Sequence, residues 1–308
     1  MEQKRSKASL LPLALLLAAK AAKLAKLFKL VKPMITIITM SISAIAYAFW
    51  QGPWFALGLI AMLFIHEMGH VAAMRMRGYE ASAPVFIPFI GAFIAAPRIK
   101  CRDDEAFIGL GGPALGGLAA ILVFLVWYFT DDKTSGSAMV LFMVSYIGTF
   151  LNVFNLVPMR PLDGGRVTQA IGSWFKYVGA IVLALISLAW REPVIMYVWL
   201  LVLPELTMIP LKLRAIISFL VWVSMTALMW LGYSSQPFWI DVMDIVLGGV
   251  FMVILVIQAY NNTDYQAEDE ERAELTKAEK ISWFVRYLLL TIVLGSLMWY
   301  QIQHLPKV

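Results

Sequence analysis

Long apolar runs with few or no charges dominate this chain, and they constrain its fold more than any other feature. A helix needs roughly 18–20 such residues to cross a bilayer. Runs that approach or exceed this length lie at 33–50, 53–74, 107–129 and 138–157. Hydrophobic residues make up 61% of the chain and charged residues only 15%, which excludes an ordinary soluble domain. The sequence therefore predicts an all-α polytopic membrane protein.

The second half of the chain adds further apolar segments. They lie at about 177–190, 194–211, 215–232, 239–260 and 283–303. The prediction is thus about eight to nine transmembrane segments, with a charged cytosolic loop at 261–280. We divide the chain into a basic amphipathic segment at 1–32, a core at 33–176 and additional transmembrane segments at 177–308.

The distribution of positive charge predicts the orientation. Basic residues crowd the first 32 positions, and they alternate with apolar positions as in a helix that lies at the membrane interface. Its apolar run at 10–19 also resembles a secretory signal, so retention of this run stays open. When the N-terminus is placed in the cytoplasm, Arg75 and Arg166 also lie on the cytoplasmic side of the membrane, as the positive-inside rule expects. This pattern indicates a multi-pass protein of the cell membrane that contacts the lipid bilayer and not nucleic acid.

The stretch between the second and third spans differs from its neighbours. Pro84, Pro88, Gly91 and Pro97 interrupt an apolar sequence there, which is poor for a helix. The short Val, Phe and Ile runs between them predict a short re-entrant β-hairpin. Such backbone is tolerated at membrane depth only where protein shields it or where it lines a cavity. An edge of this hairpin offers main-chain pairing to an extended peptide.

The second span contains the sequence FIHEMGH at 64–70. His66 and His70 are four residues apart and share one helix face, so both imidazoles can bind one ion. Glu67 can take a proton from metal-bound water, as in the H-E-x-x-H arrangement of metallopeptidases. The alternative is a buried histidine pair that hydrogen-bonds neighbouring helices, but ionisable residues inside a membrane are functional by default.

A third metal ligand has few possible sources in this chain. Cys101 is the only cysteine, and His304 is the only other histidine; on this topology His304 lies at the opposite membrane face. Asp163 follows the fourth span and emerges near the same face and depth as the histidine pair. Pro158 ends the helix before it, and glycines after it permit a tight turn. An ordinary Asp-Gly turn is the alternative interpretation.

These two motifs together carry a family resemblance. HEMGH, followed by NLVPMRPLDGG from Asn155 onward, resembles the site-2 protease family of intramembrane zinc metallopeptidases, peptidase M50-like. GGPALGG at 111–117 is similar to a GPxxG segment of that family. The resemblance covers 33–176, and it implies an intramembrane metalloprotease core there.

The resemblance also implies the roles of individual residues. It implies Zn²⁺ bound by His66, His70 and Asp163, with Glu67 as the general base. It further implies that Asn155 lies beside the site, where it can bind the substrate backbone or the oxyanion.

The expected function is a zinc-dependent intramembrane endopeptidase that cleaves a membrane-spanning or membrane-associated protein or peptide near the cytoplasmic face. One alternative is a metal-binding membrane transporter or sensor that uses the same ligands without hydrolysis. A transporter is expected to repeat its ligands along a path, whereas this sequence has one such cluster. A scaffold that has lost catalysis is a further alternative, against which the complete ligand and base set counts.

Overall fold

The computed structural model describes residues 33–49, 52–88, 91–94, 97–160, 162–190, 223 and 272–305. This part of the chain is mostly helical. Its elements in chain order are α1 (Pro33–Phe49), α2 (Pro53–Met76), β1 (Val85–Ile87), β2 (Gly91–Phe93), α3 (Arg102–Tyr128), α4 (Gly136–Asn155), α5 (Asp163–Ile171), α6 (Phe175–Trp190) and α7 (Lys277–Gln303).

Four helices, α2, α3, α4 and α7, are long and apolar enough to cross a membrane, and α1 is a shorter apolar helix. Each coincides with a segment that the sequence predicts, which confirms the helical, membrane-type character of this part of the chain. The predicted segments at 1–32, 194–211, 215–232 (apart from residue 223) and 239–260, and the loop to residue 271, lie outside the described residues. The total of eight to nine spans therefore stays a prediction.

Two helices begin earlier than their apolar runs. Helix α3 starts at Arg102 because its acidic first turn complements the helix dipole. The Nη1 atom of Arg77 pairs with Asp103 at 2.8 Å and with Asp104 at 3.0 Å. Helix α7 starts at Lys277 because Thr276 and Glu279 form a capping box. Charged residues thus form the first turns of two helices whose remaining turns are mostly apolar.

Helices α2, α3 and α4 form an antiparallel core in which small residues allow close approach. A Cβ atom built on Gly111 would lie 2.7 Å from the Gly69 carbonyl oxygen and 2.7 Å from the Ala73 Cβ. One built on Gly148 would lie 2.9 Å from the Met62 sulfur. Because lipid gives little hydrophobic drive for helix association, such backbone contact is a main source of packing in membrane proteins.

The predicted β-hairpin forms as a two-stranded antiparallel sheet, with Val85 opposite Phe93 and Ile87 opposite Gly91. It is anchored to α1, since the Thr36 hydroxyl donates to the Pro84 carbonyl at 2.6 Å. Its position relative to a membrane stays a prediction.

Helix α7 runs parallel to α3 and packs on the core along its length. The Trp283 indole N–H donates to Asp103 at 2.8 Å near the start of both helices. Near their ends, the Tyr300 and Phe124 rings meet edge to face, with centroids 5.5 Å apart. Residues of α7 also share a buried cluster with Leu156 and with the inner face of α5.

Candidate metal centre

Helix α2 brings the two histidines of HEMGH together in the interior. The side chains of His66 and His70 are buried, and their Nε2 atoms are 3.3 Å apart. Because the residues are one helical turn apart, their rings extend in the same direction and meet edge to face, with centroids 4.9 Å apart. The predicted shared face of the helix is confirmed by this arrangement.

Asp163 completes the group from the first position of α5. Its Oδ2 atom lies 3.1 Å from His66 Nε2 and 3.2 Å from His70 Nε2. The chain reverses between α4 and α5, and two glycines allow it to pass close to itself. A Cβ on Gly164 would lie 2.6 Å from the Leu156 carbonyl carbon, and one on Gly165 would lie 2.7 Å from the Met159 oxygen. The structure thus brings Asp163 to the histidine pair, as the sequence predicts, and not into an isolated turn.

The hydrogen bonds of the two Nδ1 atoms determine the histidine tautomers. His70 Nδ1 lies 2.8 Å from the Ile108 carbonyl oxygen, which can only accept, so this nitrogen carries the proton. His66 Nδ1 lies 2.9 Å from Asn152 Oδ1. The amide of Asn152 is oriented by its own donation to the Gly148 carbonyl at 2.7 Å. With these Nδ1 contacts, the neutral form of each imidazole has its lone pair on Nε2, which is the form that binds metal.

The dimensions of this group fit a small tetrahedral cation. A metal ion with ligand distances of about 2.0–2.1 Å has ligand atoms roughly 3.3 Å apart. The edges of the triangle formed by the two Nε2 atoms and Oδ2 measure 3.1, 3.2 and 3.3 Å. Two nitrogens and one carboxylate oxygen match the donor set of a catalytic zinc site, in which the fourth position is left to water or substrate. These three residues can therefore hold a metal ion.

A glycine of α3 leaves the space that such an ion needs. A Cβ atom built on Gly112 would lie within 2.9 Å of His66 Nε2 and 2.6 Å of His70 Cε1, and it would also contact His70 Nε2. A side chain at this position would thus occupy the room on the Nε2 side of both rings. Gly112 belongs to the GGPALGG segment, and its lack of a side chain leaves space beside the two histidine rings.

Glu67 is buried on α2 beside His66. Among the described residues, none forms a hydrogen bond or ion pair with its carboxylate. A buried carboxylate next to a metal ligand is suited to accept a proton from water and to return it. The role of Glu67 as the general base nevertheless stays a prediction.

Asn155 and Asn152 occupy successive turns of α4 and have different partners. The Asn155 amide donates to the Leu151 carbonyl of its own helix at 3.0 Å, and its proposed role toward substrate stays a prediction. Asn152, which no sequence motif singles out, contacts His66. The available signal was its polar amide in an apolar helix, where an unpaired amide is costly. His304 stacks on Tyr300 at the far end of α7, away from the histidine pair.

We expect Asn152→Ala to lower zinc affinity by about 10–100-fold, as is typical when a residue that orients a metal ligand is lost. The substitution leaves His66 Nδ1 without its acceptor, so the ring is free to turn and to change tautomer. Competition with a zinc-chelating dye on the purified protein measures the effect. Asn155→Ala is the matched control and should leave zinc affinity unchanged, because the Asn155 amide donates within its own helix, to the Leu151 carbonyl. Equal affinities for the two variants would contradict the assigned contact.

Comparison with known proteins agrees with this chemistry. Residues 54–132 match the model of Peptidase family M50. The chain is 30% identical over 113 residues to the zinc metalloprotease MJ0392 of Methanocaldococcus jannaschii, covering 37% of this chain and 32% of that protein. It is 25% identical over 155 residues to the probable chloroplastic zinc metalloprotease EGY2 of Arabidopsis thaliana (38% and 28%). It is 30% identical over 118 residues to the putative zinc metalloprotease Rip3 of Mycobacterium tuberculosis (37% and 30%).

These matches confirm the resemblance to the site-2 protease type of metallopeptidase. The aligned part of the chain spans about a third of the length of each of these relatives. The relatives are zinc metalloproteases by name, so they agree with zinc as the metal for the His–His–Asp group.

Proposed function

We propose that this chain, which carries the HExxH segment of a family M50 peptidase, is a zinc-dependent intramembrane endopeptidase. The observation that supports this most directly is the triangle of His66 Nε2, His70 Nε2 and Asp163 Oδ2, with edges of 3.1–3.3 Å. The types and the spacing of these ligand atoms fit a zinc ion. The carboxylate of Glu67 is buried next to them. Helices long enough to cross a membrane surround it.

The chemistry divides between the metal and the protein. Zinc, when bound by these three residues, polarises a carbonyl and makes water more acidic. Glu67 takes a proton from the attacking water, whose oxygen forms the new bond to the peptide carbonyl carbon. Glu67 then gives that proton to the amide nitrogen as the C–N bond breaks, which leaves a carboxyl group and an amine. Asn155 is proposed to bind the substrate backbone or the developing oxyanion.

The β-hairpin is proposed to receive the substrate as an added strand, since a peptide must leave its helical form before its amide bonds become accessible. The Phe86 N–H points away from β2 and donates to the Thr39 hydroxyl of α1 at 3.1 Å. Helix α1 therefore occupies the outer edge of β1. An incoming strand would pair with β2, on the side of Ala92.

The membrane orientation belongs to the same proposal. With the basic N-terminus in the cytoplasm, the C-terminal half of α2 points to the cytoplasmic side. His70 then lies about 7 Å from Arg75 along the helix, at 1.5 Å per residue. A site at this depth allows water to enter from the cytoplasm. The proposed substrates are membrane-spanning or membrane-associated peptides of the cell membrane.

A reconstituted cleavage assay tests the proposed function. We expect the full chain in proteoliposomes to cut single-span test peptides. We also expect a zinc chelator to abolish cleavage and added Zn²⁺ to restore it. Mass spectrometry of the products locates the cut relative to the bilayer. Metal flux across the vesicle membrane without peptide products would overturn the proposal in favour of a transporter.

A further inference from the structure

Helix α7 contacts the core at sites far apart in the sequence, although it lies outside the family-matched segment at 54–132. The Gln301 amide donates to the buried Ser145 hydroxyl of α4 at 2.8 Å. Leu294 packs against Gly117 of α3, where a Cβ would lie 2.7 Å from its Cδ1. Helix α7 is therefore an integral part of the same helical unit as the metal centre.

Tyr287 of α7 reaches the segment that positions Asp163. Its buried hydroxyl donates to the Leu156 carbonyl oxygen at 2.6 Å, a contact between residues 131 apart in the chain. Leu156 caps the C-terminal end of α4, where the carbonyls of the last turn lack helical partners. The same carbonyl group faces Gly164, since a Cβ there would contact its oxygen and lie 2.6 Å from its carbon. A continuous path of contacts thus leads from the Tyr287 hydroxyl through Leu156 to the residue after Asp163.

Helix α5 is held from two further directions. The Arg166 Nε atom pairs with the buried Glu105 of α3 at 2.9 Å, and Arg272, just before α7, lies 3.8 Å from the other Glu105 oxygen. The Tyr287 ring packs edge to face on Phe175, which follows α5, with centroids 5.1 Å apart. Because α5 has only nine residues, its placement depends on these neighbours more than on its own helical stability.

We propose that α7 is a required part of the metal centre and that Tyr287 is a positioning residue for the Asp163 ligand. The hydroxyl of Tyr287 holds the Leu156 carbonyl, and through it the turn that brings Asp163 Oδ2 to the histidine nitrogens. This inference rests on the proposed function only in taking the metal to be zinc. Without the hydroxyl, the Leu156 carbonyl loses its partner in an apolar interior, and the turn can relax away from the histidine pair.

Tyr287→Phe tests this proposal, because it removes the hydroxyl and keeps the ring in its cluster. We expect zinc affinity, measured by dye competition on the purified full chain, to fall about tenfold. The visible absorption of bound Co²⁺, which reports coordination geometry, should change in shape. In the cleavage assay kcat should fall while KM stays close to that of the wild type.

Two control variants separate positioning from general stability. Tyr300→Phe makes the same change in the same helix, at a ring that is partly exposed and remote from α5, and it should leave all readouts unchanged. Gln301→Leu breaks the bond to Ser145 and should lower Tm without changing zinc affinity or the Co²⁺ spectrum. Wild-type zinc affinity and an unchanged Co²⁺ spectrum in Tyr287→Phe would overturn the proposal, even if the wild type cleaves peptides. A loss of affinity seen equally in Gln301→Leu would also overturn it.

Discussion

Glu67→Gln is expected to reduce peptide cleavage by about 10²–10⁴-fold, the range that a positioned general acid–base group contributes. The amide has nearly the shape of the carboxylate, but it cannot accept the proton of the attacking water. Zinc content should remain at the wild-type level, since His66, His70 and Asp163 are unchanged. Product formation from a single-span peptide in proteoliposomes, together with elemental analysis of the same preparation, measures both quantities.

The matched control for this variant is Glu80→Gln. Glu80 is exposed and lies four residues after the end of α2, so the same chemical change occurs close by in sequence but away from the metal centre. It should retain full activity. If Glu67→Gln cleaved as fast as Glu80→Gln, Glu67 would not be the base, and a hydrolytic role for HEMGH would need another proton acceptor.

Gly112→Ala is expected to abolish zinc binding, with loss of cleavage as the consequence. The added methyl group would stand within 3 Å of atoms of both the His66 and the His70 ring, in the space that a bound ion would require. Because the neighbouring atoms belong to buried histidine rings and not to a flexible surface side chain, the rings cannot yield without leaving their Nδ1 partners. Zinc content by elemental analysis and the melting temperature of the purified protein are the two measurements.

Gly295→Ala supplies the control for this substitution. Gly295 also lies within a long apolar helix, but a Cβ there would have no neighbour within 4 Å among the residues that the structure describes. Alanine favours helix more than glycine does, so this variant should keep zinc and should be as stable as the wild type. Full zinc occupancy in Gly112→Ala would contradict the position assigned to the ion beside α3.

The sequence predicts the local part of the metal centre well, because that part follows from helical spacing. His66 and His70 share a face through a four-residue interval, which any helix provides. Asp163 is identified by the scarcity of other ligands and by the turn residues around it. These inferences need no knowledge of how distant helices pack, and the geometry agrees with them.

The contacts between helices could not be predicted in the same way. The partners of the Nδ1 atoms are an amide on α4 and a main-chain carbonyl on α3, and a carbonyl has no signature in the sequence. Asn152 and Asn155 are both polar residues of one apolar helix. Only the rotation of α4 against α2 decides which of them contacts His66. The contact of Tyr287 with Leu156 is likewise invisible to any local pattern.

The first residue of a helix is also hard to predict from the sequence when contacts with other elements stabilise the first turn. The uncharged run of α3 begins at 107, but the helix itself begins at Arg102 and its first turn contains three acidic residues. These charges are compatible with the helix because Arg77, Trp283 and Arg166 satisfy them from other elements. Tertiary contacts, and not hydropathy, thus decide where this helix begins.

The distance in sequence between Tyr287 and Leu156 has a consequence for biosynthesis. A ribosome that adds about 5–20 residues per second needs roughly 7–26 s to make the 131 positions that separate them. During that interval HEMGH and Asp163 are already present in the nascent chain, but the hydroxyl that secures the turn does not yet exist. If the placement of Asp163 depends on that hydroxyl, the His–His–Asp group is complete only after α7 has been synthesised and has docked. The order of the helices along the chain would then set the time at which this group becomes able to hold a metal ion.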